Sequence, residues 1–107
     1  MPRTYVPPSN PSDDARAAMS VFQVGTLRAE IIRDLAQHPE GATTAEIGSR
    51  IGVIYQQVYK HVAQLREEGI VTVLGQGAGY RRGPIYQLDR AALEAKAAAF
   101  MRHLLGE

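Results

Sequence analysis

The chain has 107 residues, 45% of them hydrophobic, and a formal net charge of +1. A chain of roughly 100 residues has material for one compact domain with a modest core, so we expect oligomerisation to add buried surface. The absence of cysteine excludes disulfides and thiolate metal ligands. No apolar run approaches the ~20 residues needed to span a bilayer, and no signal peptide is evident, so we expect a cytoplasmic protein without membrane contact.

Residues 1–11 are predicted to form a flexible arm. Four of the six prolines fall at positions 2, 7, 8 and 11, and proline removes the backbone donors that a helix needs. A lone arginine in the arm favours an unattached tail over a minor-groove contact. Ser12 then supplies an N-cap, followed by two aspartates, which predicts a short helix over residues 13–23. The folded domain is therefore predicted to cover residues 12–107.

Apolar spacing and capping signals predict two further helices. In residues 26–37 apolar side chains recur at positions i, i+4 and i+8, which is typical of a core helix. Thr43 followed by Glu46 forms a capping box that opens a helix over residues 43–51. Gly48 within this helix costs up to ~1 kcal/mol of helix propensity relative to alanine, which indicates close approach of the next helix.

Residues 54–68 are predicted to form that next helix. Val58, Val62 and Leu65 make an apolar stripe that faces the core. The opposite face contains Gln56, Lys60, Ala63 and Glu67. Residues 55–66 contain no acidic side chain, so a local basic strip persists in a nearly neutral chain.

The last third of the chain is predicted to form a hairpin and a helix. Residues 70–74 and 85–88 are rich in β-branched and apolar side chains, which predicts two strands joined by a glycine-rich loop. Asp89 caps a final helix that extends to residue 105. The predicted fold class is therefore mainly α with a small β-hairpin.

This order of elements and the segment AEIGSRIGVIYQQVYKHVAQLREEGIVTV resemble the helix-turn-helix of ArsR- and MarR-like transcriptional regulators. The resemblance covers about residues 25–88. The positions that these families favour are Ala45, Ile47, Gly52, Val58, His61, Leu65, Glu68, Gly69, Ile70 and Val71. The resemblance implies a winged helix-turn-helix with a C-terminal dimerisation helix, acting as a homodimeric repressor that binds an inverted repeat in double-stranded DNA. Ile54 departs from the family pattern, because a capping Ser or Thr usually opens the recognition helix.

The outer face of the predicted recognition helix matches the chemistry of a major groove. Glutamine side chains pair with the edge of adenine, lysine contacts guanine or phosphate, and tyrosine hydroxyls bind phosphate oxygens. The predicted contacts are Tyr55, Gln56, Gln57, Tyr59 and Lys60. In an isolated helix, such a polar face more often only contacts solvent. In this chain the helix is predicted to lie in a helix-turn-helix, and that position favours DNA binding.

The loop between the strands is predicted to be a DNA-contacting wing. Tyr80, Arg81 and Arg82 lie in it, where they could hold phosphates or enter a minor groove. The alternative is a soluble turn. A dinucleotide loop is rejected, because the G-x-G-x-x-G fingerprint requires a helix to follow and here a strand follows.

The final helix carries a narrow apolar stripe that a homodimer would bury. The predicted dimerisation residues are Leu93, Ala97, Phe100, Met101 and Leu104. Met19 and Phe22 of the first helix are predicted to extend this interface. Packing on its own domain is the alternative for the final helix.

No catalytic or metal site is predicted. The three histidines are scattered, and no serine, histidine and carboxylate combination has a recognisable motif around it. We expect no enzyme activity, no cofactor and a nucleoid-associated location, and the sequence identifies no small-molecule effector. The alternative function is a winged helix for protein contact or architectural DNA binding in replication, partition, phage or plasmid assemblies.

Overall fold

The computed structural model describes residues 5–22 and 24–107. Within them the elements are α1 (Asp13–Val21), α2 (Thr26–Gln37), α3 (Thr44–Ile51), α4 (Tyr55–Glu67), β1 (Val71–Gly77), β2 (Gly83–Leu88) and α5 (Arg90–Leu104). The predicted fold class, mainly α with a β-hairpin, is confirmed. None of the helices in the described ranges is long and apolar enough to cross a membrane.

The core lies where α2, α3 and α4 meet the base of the hairpin. The predicted stripe of α4 is buried, and so are the apolar positions of α2 and α3. The buried apolar residues are Ile31, Leu35, Ala42, Ile47, Ile51, Val58, Val62, Leu65, Ile70, Val71, Tyr86 and Leu88. Because one face of each helix is buried in this cluster, the opposite faces must meet solvent or a partner.

The turn between α3 and α4 is closed by backbone hydrogen bonds. The carbonyl of Gly48 accepts from the amides of Gly52 at 2.8 Å and Val53 at 3.0 Å, and Gly52 adopts a left-handed conformation with φ 81°. A Cβ placed on Gly48 would lie 2.5 Å from the carbonyl oxygen of Val53. The amide nitrogen of Tyr55, the first residue of α4, would lie 3.6 Å from the same Cβ, so the next helix does begin close to Gly48, with the turn carbonyl closer still.

The hairpin is longer than predicted. β1 and β2 pair from Val71 opposite Leu88 to Gly77 opposite Gly83, so three glycines expected in a loop, Gly75, Gly77 and Gly83, belong to the ladder. The register shifts between Val73 and Gly75. Glycine has a low preference for strands, so the sequence did not predict pairing at these positions. They pair because the opposite strand supplies partners for their backbone N–H and C=O groups.

The described part of the N-terminal arm lies against the domain. The Tyr5 hydroxyl donates to the carbonyl oxygen of Ile51 at 2.9 Å, and the Ser9 hydroxyl donates to the carboxylate of Glu30. These bonds give a carbonyl at the end of α3 a donor, and the flexibility of the arm stays a prediction. Residues 1–4 lie outside the described residues, as does Gln23 at the predicted end of the first helix.

Candidate nucleic-acid interface

The polar face of α4 is exposed as predicted. Val58, Val62 and Leu65 face the core and hold the helix on the domain. All the predicted groove contacts of this helix are exposed, namely Tyr55, Gln56, Gln57, Tyr59 and Lys60. This side of α4 can therefore offer several hydrogen-bond donors and acceptors to a ligand without any change in the core.

An arginine of α2 is hydrogen-bonded to the C-terminal end of α4. Arg28 Nη2 donates to Glu68 Oε2 at 2.6 Å, and its Nη1 donates to Gln64 Oε1 at 3.1 Å. The two bonds use the planar fork of the guanidinium, which fixes direction as well as distance. Sequence reasoning missed this contact, since 36 and 40 residues separate the partners along the chain.

The first turn of α4 has no side-chain cap. Ile54 stands at the N-cap position in an extended conformation and makes no capping hydrogen bond. The predicted departure from the family pattern is therefore real. It leaves the positive end of the helix dipole in front of the exposed face, where backbone amides can meet an anion.

A groove joins α4 to the hairpin. Tyr59 and Arg66 line it from α4, and Tyr86 lines it from β2. Burial and the neighbouring Tyr59 raise the pKa of Tyr86 above its ordinary value, so its hydroxyl stays protonated. Arg66 adds a cation beside the predicted residues, and sequence reasoning missed it because an acidic pair follows it directly.

The wing tip presents only part of its predicted contacts to solvent. Tyr80 is fully exposed and Arg82 is exposed. Arg81 instead folds back onto α3, where its Nε lies 2.9 Å from Glu46 Oε2. The hydrogen bonds from Arg81, and then the backbone amide of Thr43, hold the pKa of Glu46 below its ordinary value. This pair forms because α3 offers a carboxylate within reach of Arg81, and the DNA contact predicted for Arg81 stays a prediction.

Two charged side chains tie α2 to α3 behind the interface. Arg50 Nε donates to Asp34 Oδ1 at 2.9 Å, and its Nη2 donates to Asp34 Oδ2 at 2.8 Å. Asp34 is buried, so its charge requires such a partner. The hydrogen bond to Asp34 raises the pKa of Arg50 above its ordinary value. This pair fixes the angle between the two helices that precede α4.

His61 lies on the inner side of α4. Its Nδ1 is buried and has no hydrogen-bond partner within the described part of the chain. Within these residues the imidazole therefore makes no structural hydrogen bond through that atom. Burial, and then the positive charge of Arg28, lower the pKa of His61 below its ordinary value. The folded state therefore favours the neutral imidazole.

We expect this histidine to make stability depend on pH. Because its folded pKa lies below the unfolded value of about 6.5, the unfolded chain binds the proton more tightly and stability falls as pH drops through about 6.5. His61→Gln should reduce the loss of unfolding free energy between about pH 7.5 and about pH 5.5, measured by urea denaturation. His103→Gln, at an exposed position of α5, is the control. An unchanged pH dependence in His61→Gln would contradict this role.

The apolar residues of α5 are less buried than those of the core. Leu93 is half-buried against the core cluster, whereas Ala97, Phe100, Met101 and Leu104 are exposed. The ring of Phe22 meets Phe100 edge to face, with centroids 5.6 Å apart. The structure thus brings together two residues that were predicted to share one surface.

These elements define a winged helix-turn-helix domain. The helix-turn-helix domain family matches residues 27–73, which contain α2, α3, α4 and the start of β1. The resemblance to winged helix-turn-helix regulators that the sequence suggested is confirmed, and assignment to an ArsR-like branch stays a prediction.

Two curated relatives are similar to the chain in sequence. One is the HTH-type transcriptional regulator Rv1719 of Mycobacterium tuberculosis, 40% identical over 63 residues, which are 59% of this chain and 24% of that protein. Another is the HTH-type transcriptional regulator TtgV of Pseudomonas putida, 35% identical over 75 residues, which are 70% of this chain and 29% of that protein. The chain thus spans less than a third of either relative's length. Both are named as HTH-type transcriptional regulators.

Solved structures support the fold. A MarR family transcriptional regulator from Silicibacter pomeroyi superposes with a TM-score of 0.58 at 17% identity, covering 90% of this chain and 67% of that one. The transcriptional regulator PA3341 superposes with a TM-score of 0.56 at 24% identity, covering 83% and 69%. At these identities the likeness concerns the fold.

Proposed function

We propose that this chain binds double-stranded DNA in a sequence-specific manner and acts as a transcriptional regulator. The observation that carries the proposal is the exposed face of α4, which has no acidic side chain before Glu67 and is held on the domain by the core and by Arg28. The similarity to named regulators supports the same conclusion.

In this proposal α4 enters the major groove. Gln56 and Gln57 read base edges, because an amide both donates to and accepts from adenine. Lys60, Tyr55 and Tyr59 contact phosphates and sugars and set the register of the helix on the duplex. The uncapped amides at the start of α4 add a phosphate site.

The wing contacts the neighbouring backbone or minor groove. Arg82 and Tyr80 are the exposed side chains of the tip, and arginine is attracted by the negative potential of a narrow minor groove. The tip is hydrogen-bonded to α3 through Arg81 and Glu46, so in this proposal the wing contacts DNA separately from α4.

A homodimer would place two such units on an inverted repeat. The exposed side chains of α5 and Phe22 supply an apolar surface that a second copy would cover. Two-fold symmetry requires half-sites about one helical turn apart, ~34–36 Å. Repression would follow from occlusion of promoter DNA, and nucleoid association from DNA affinity.

Lys60→Ala should weaken DNA binding in a salt-dependent manner. If Lys60 neutralises one phosphate, its loss should reduce the slope of log K against log salt by about 0.9 and should weaken binding to all sequences alike. The measurement is a salt-titrated binding assay on oligonucleotides selected from a random pool. Lys96→Ala, an exposed lysine on α5, is the matched control and should leave the slope unchanged.

The same assay tests the proposal as a whole. A selected motif with two-fold symmetry supports a specific, dimeric regulator, whereas binding without any motif supports an architectural protein. Absence of binding at low salt would overturn DNA recognition and favour a winged helix used for protein contact.

A further inference from the structure

The wing is tied to the first helix of the helix-turn-helix by a bidentate ion pair. Arg81 Nε donates to Glu46 Oε2 at 2.9 Å, and Arg81 Nη2 donates to Glu46 Oε1 at 3.1 Å. The same Nη2 lies 3.4 Å from the carbonyl oxygen of Gly41, just before α3. Nε and Nη2 of the guanidinium are thus both engaged.

The carboxylate that receives Arg81 is itself fixed from the other side. Glu46 Oε1 accepts from the backbone amide of Thr43 at 2.9 Å, and Thr43 Oγ1 accepts from the amide of Glu46 at 3.2 Å. This capping box holds Glu46 in one rotamer whether or not the wing is present. The wing therefore docks on a preformed acceptor.

The backbone of the tip converges on the same residue. The amide of Arg81 donates to the carbonyl of Ala78 at 3.1 Å, which closes the turn of the tip. A Cβ on Gly77 would lie 1.4 Å from the Arg81 carbonyl oxygen, so only glycine permits this closure. The turn of the tip is therefore closed around the backbone of Arg81, the residue whose side chain is anchored on Glu46.

We propose that Arg81 is a positioning residue that locks the wing to α3 through Glu46, and that Arg82 makes the phosphate contact. The inference rests on the proposed function. Arg81 has its charge balanced by an anion 2.9 Å away, whereas Arg82 is exposed at the next position. A locked wing binds with less loss of conformational entropy, because its geometry exists before DNA arrives.

Substitutions at Glu46 and Arg81 separate the two roles. Glu46→Gln keeps a side chain that completes the capping box but removes the charge that holds Arg81. If Arg81 positions the wing, Glu46→Gln should weaken DNA binding by about threefold to tenfold, although it removes a negative charge. If Arg81 instead contacts phosphate, Glu46→Gln should free it and strengthen binding, which would overturn the proposal.

The salt dependence gives an independent readout. Arg81→Lys retains the charge but loses the bidentate geometry, so we expect an affinity loss similar to that of Glu46→Gln with the wild-type salt slope. Arg82→Ala should reduce the slope by about 0.9. The double variant Glu46→Gln, Arg81→Lys should lose no more affinity than either single variant, and additive losses would contradict a shared lock.

Hydrogen exchange tests the lock without DNA. Amides of residues 75–83 should exchange faster in Glu46→Gln and Arg81→Lys than in the wild type, and Arg82→Ala should leave them unchanged. Unchanged exchange in the two lock variants would overturn the lock even if the wild type binds DNA. A protected wing in a wild type that does not bind DNA would instead overturn the proposed function.

Discussion

Gly48→Ala is expected to destabilise the protein by about 1–3 kcal/mol, the usual cost of overpacking. Helix propensity alone predicts the opposite sign, since alanine exceeds glycine by up to ~1 kcal/mol in a helix interior. The new Cβ would lie 2.5 Å from the Val53 carbonyl oxygen, and a backbone atom cannot rotate away as a side chain does. The turn is also held by two hydrogen bonds to the Gly48 carbonyl, so relief of the clash would cost them.

The measurement is urea denaturation followed by far-UV circular dichroism. Ser49→Ala on the exposed side of the same helix is the control, because it also introduces an alanine but causes no clash, and it should stay within about 0.5 kcal/mol. DNA affinity should fall in Gly48→Ala as well, since the turn sets the start of α4. A Gly48→Ala protein as stable as the wild type would show that the turn relaxes freely.

Leu65→Ala is expected to lower the free energy of unfolding by about 2–5 kcal/mol. The side chain is 0% exposed and packs where α4 meets the rest of the core. Truncation removes apolar burial and leaves a cavity, because the surrounding helices cannot close over it completely. Since domains of this size are stable by roughly 5–15 kcal/mol, a large part of the native stability would be lost.

Leu105→Ala is the matched control for this variant. It deletes the same atoms from a side chain that is 67% exposed, just beyond the end of α5. We expect its unfolding free energy to remain within about 0.5 kcal/mol of the wild type at the same protein concentration. A loss below about 1 kcal/mol in Leu65→Ala would contradict a tightly packed position between the helices.

The helices of this chain could be predicted closely because their signals are local. The predicted range 26–37 equals α2, and the capping box of Thr43 and Glu46 forms as expected. Asp89 caps α5 through the amide of Ala92, again a contact within one turn. Periodic burial of α4 followed from its apolar spacing. Each of these features depends on residues a few positions apart, whose relative placement a helix fixes.

The hairpin could be predicted only in part. Its β-branched ends were recognised, but Gly75, Gln76 and Gly77 were assigned to a loop and instead pair in the ladder. Strand pairing depends on a partner elsewhere in the chain, and glycine has no side chain that would signal it. The exposed α4 residues were identified from the sequence, although their binding role stays a prediction.

The sequence by itself determined where helices begin and end, which faces are apolar and which exposed side chains match DNA, because these follow from neighbours within about a turn. Only the tertiary structure decided which partners the arginine side chains bind. Arg28, Arg50 and Arg81 read alike as surface cations, yet each reaches a partner at least 16 residues away in sequence. The spatial neighbours of a long side chain depend on the packing of whole elements, and that packing assigns Arg81 to α3 and leaves Arg82 exposed.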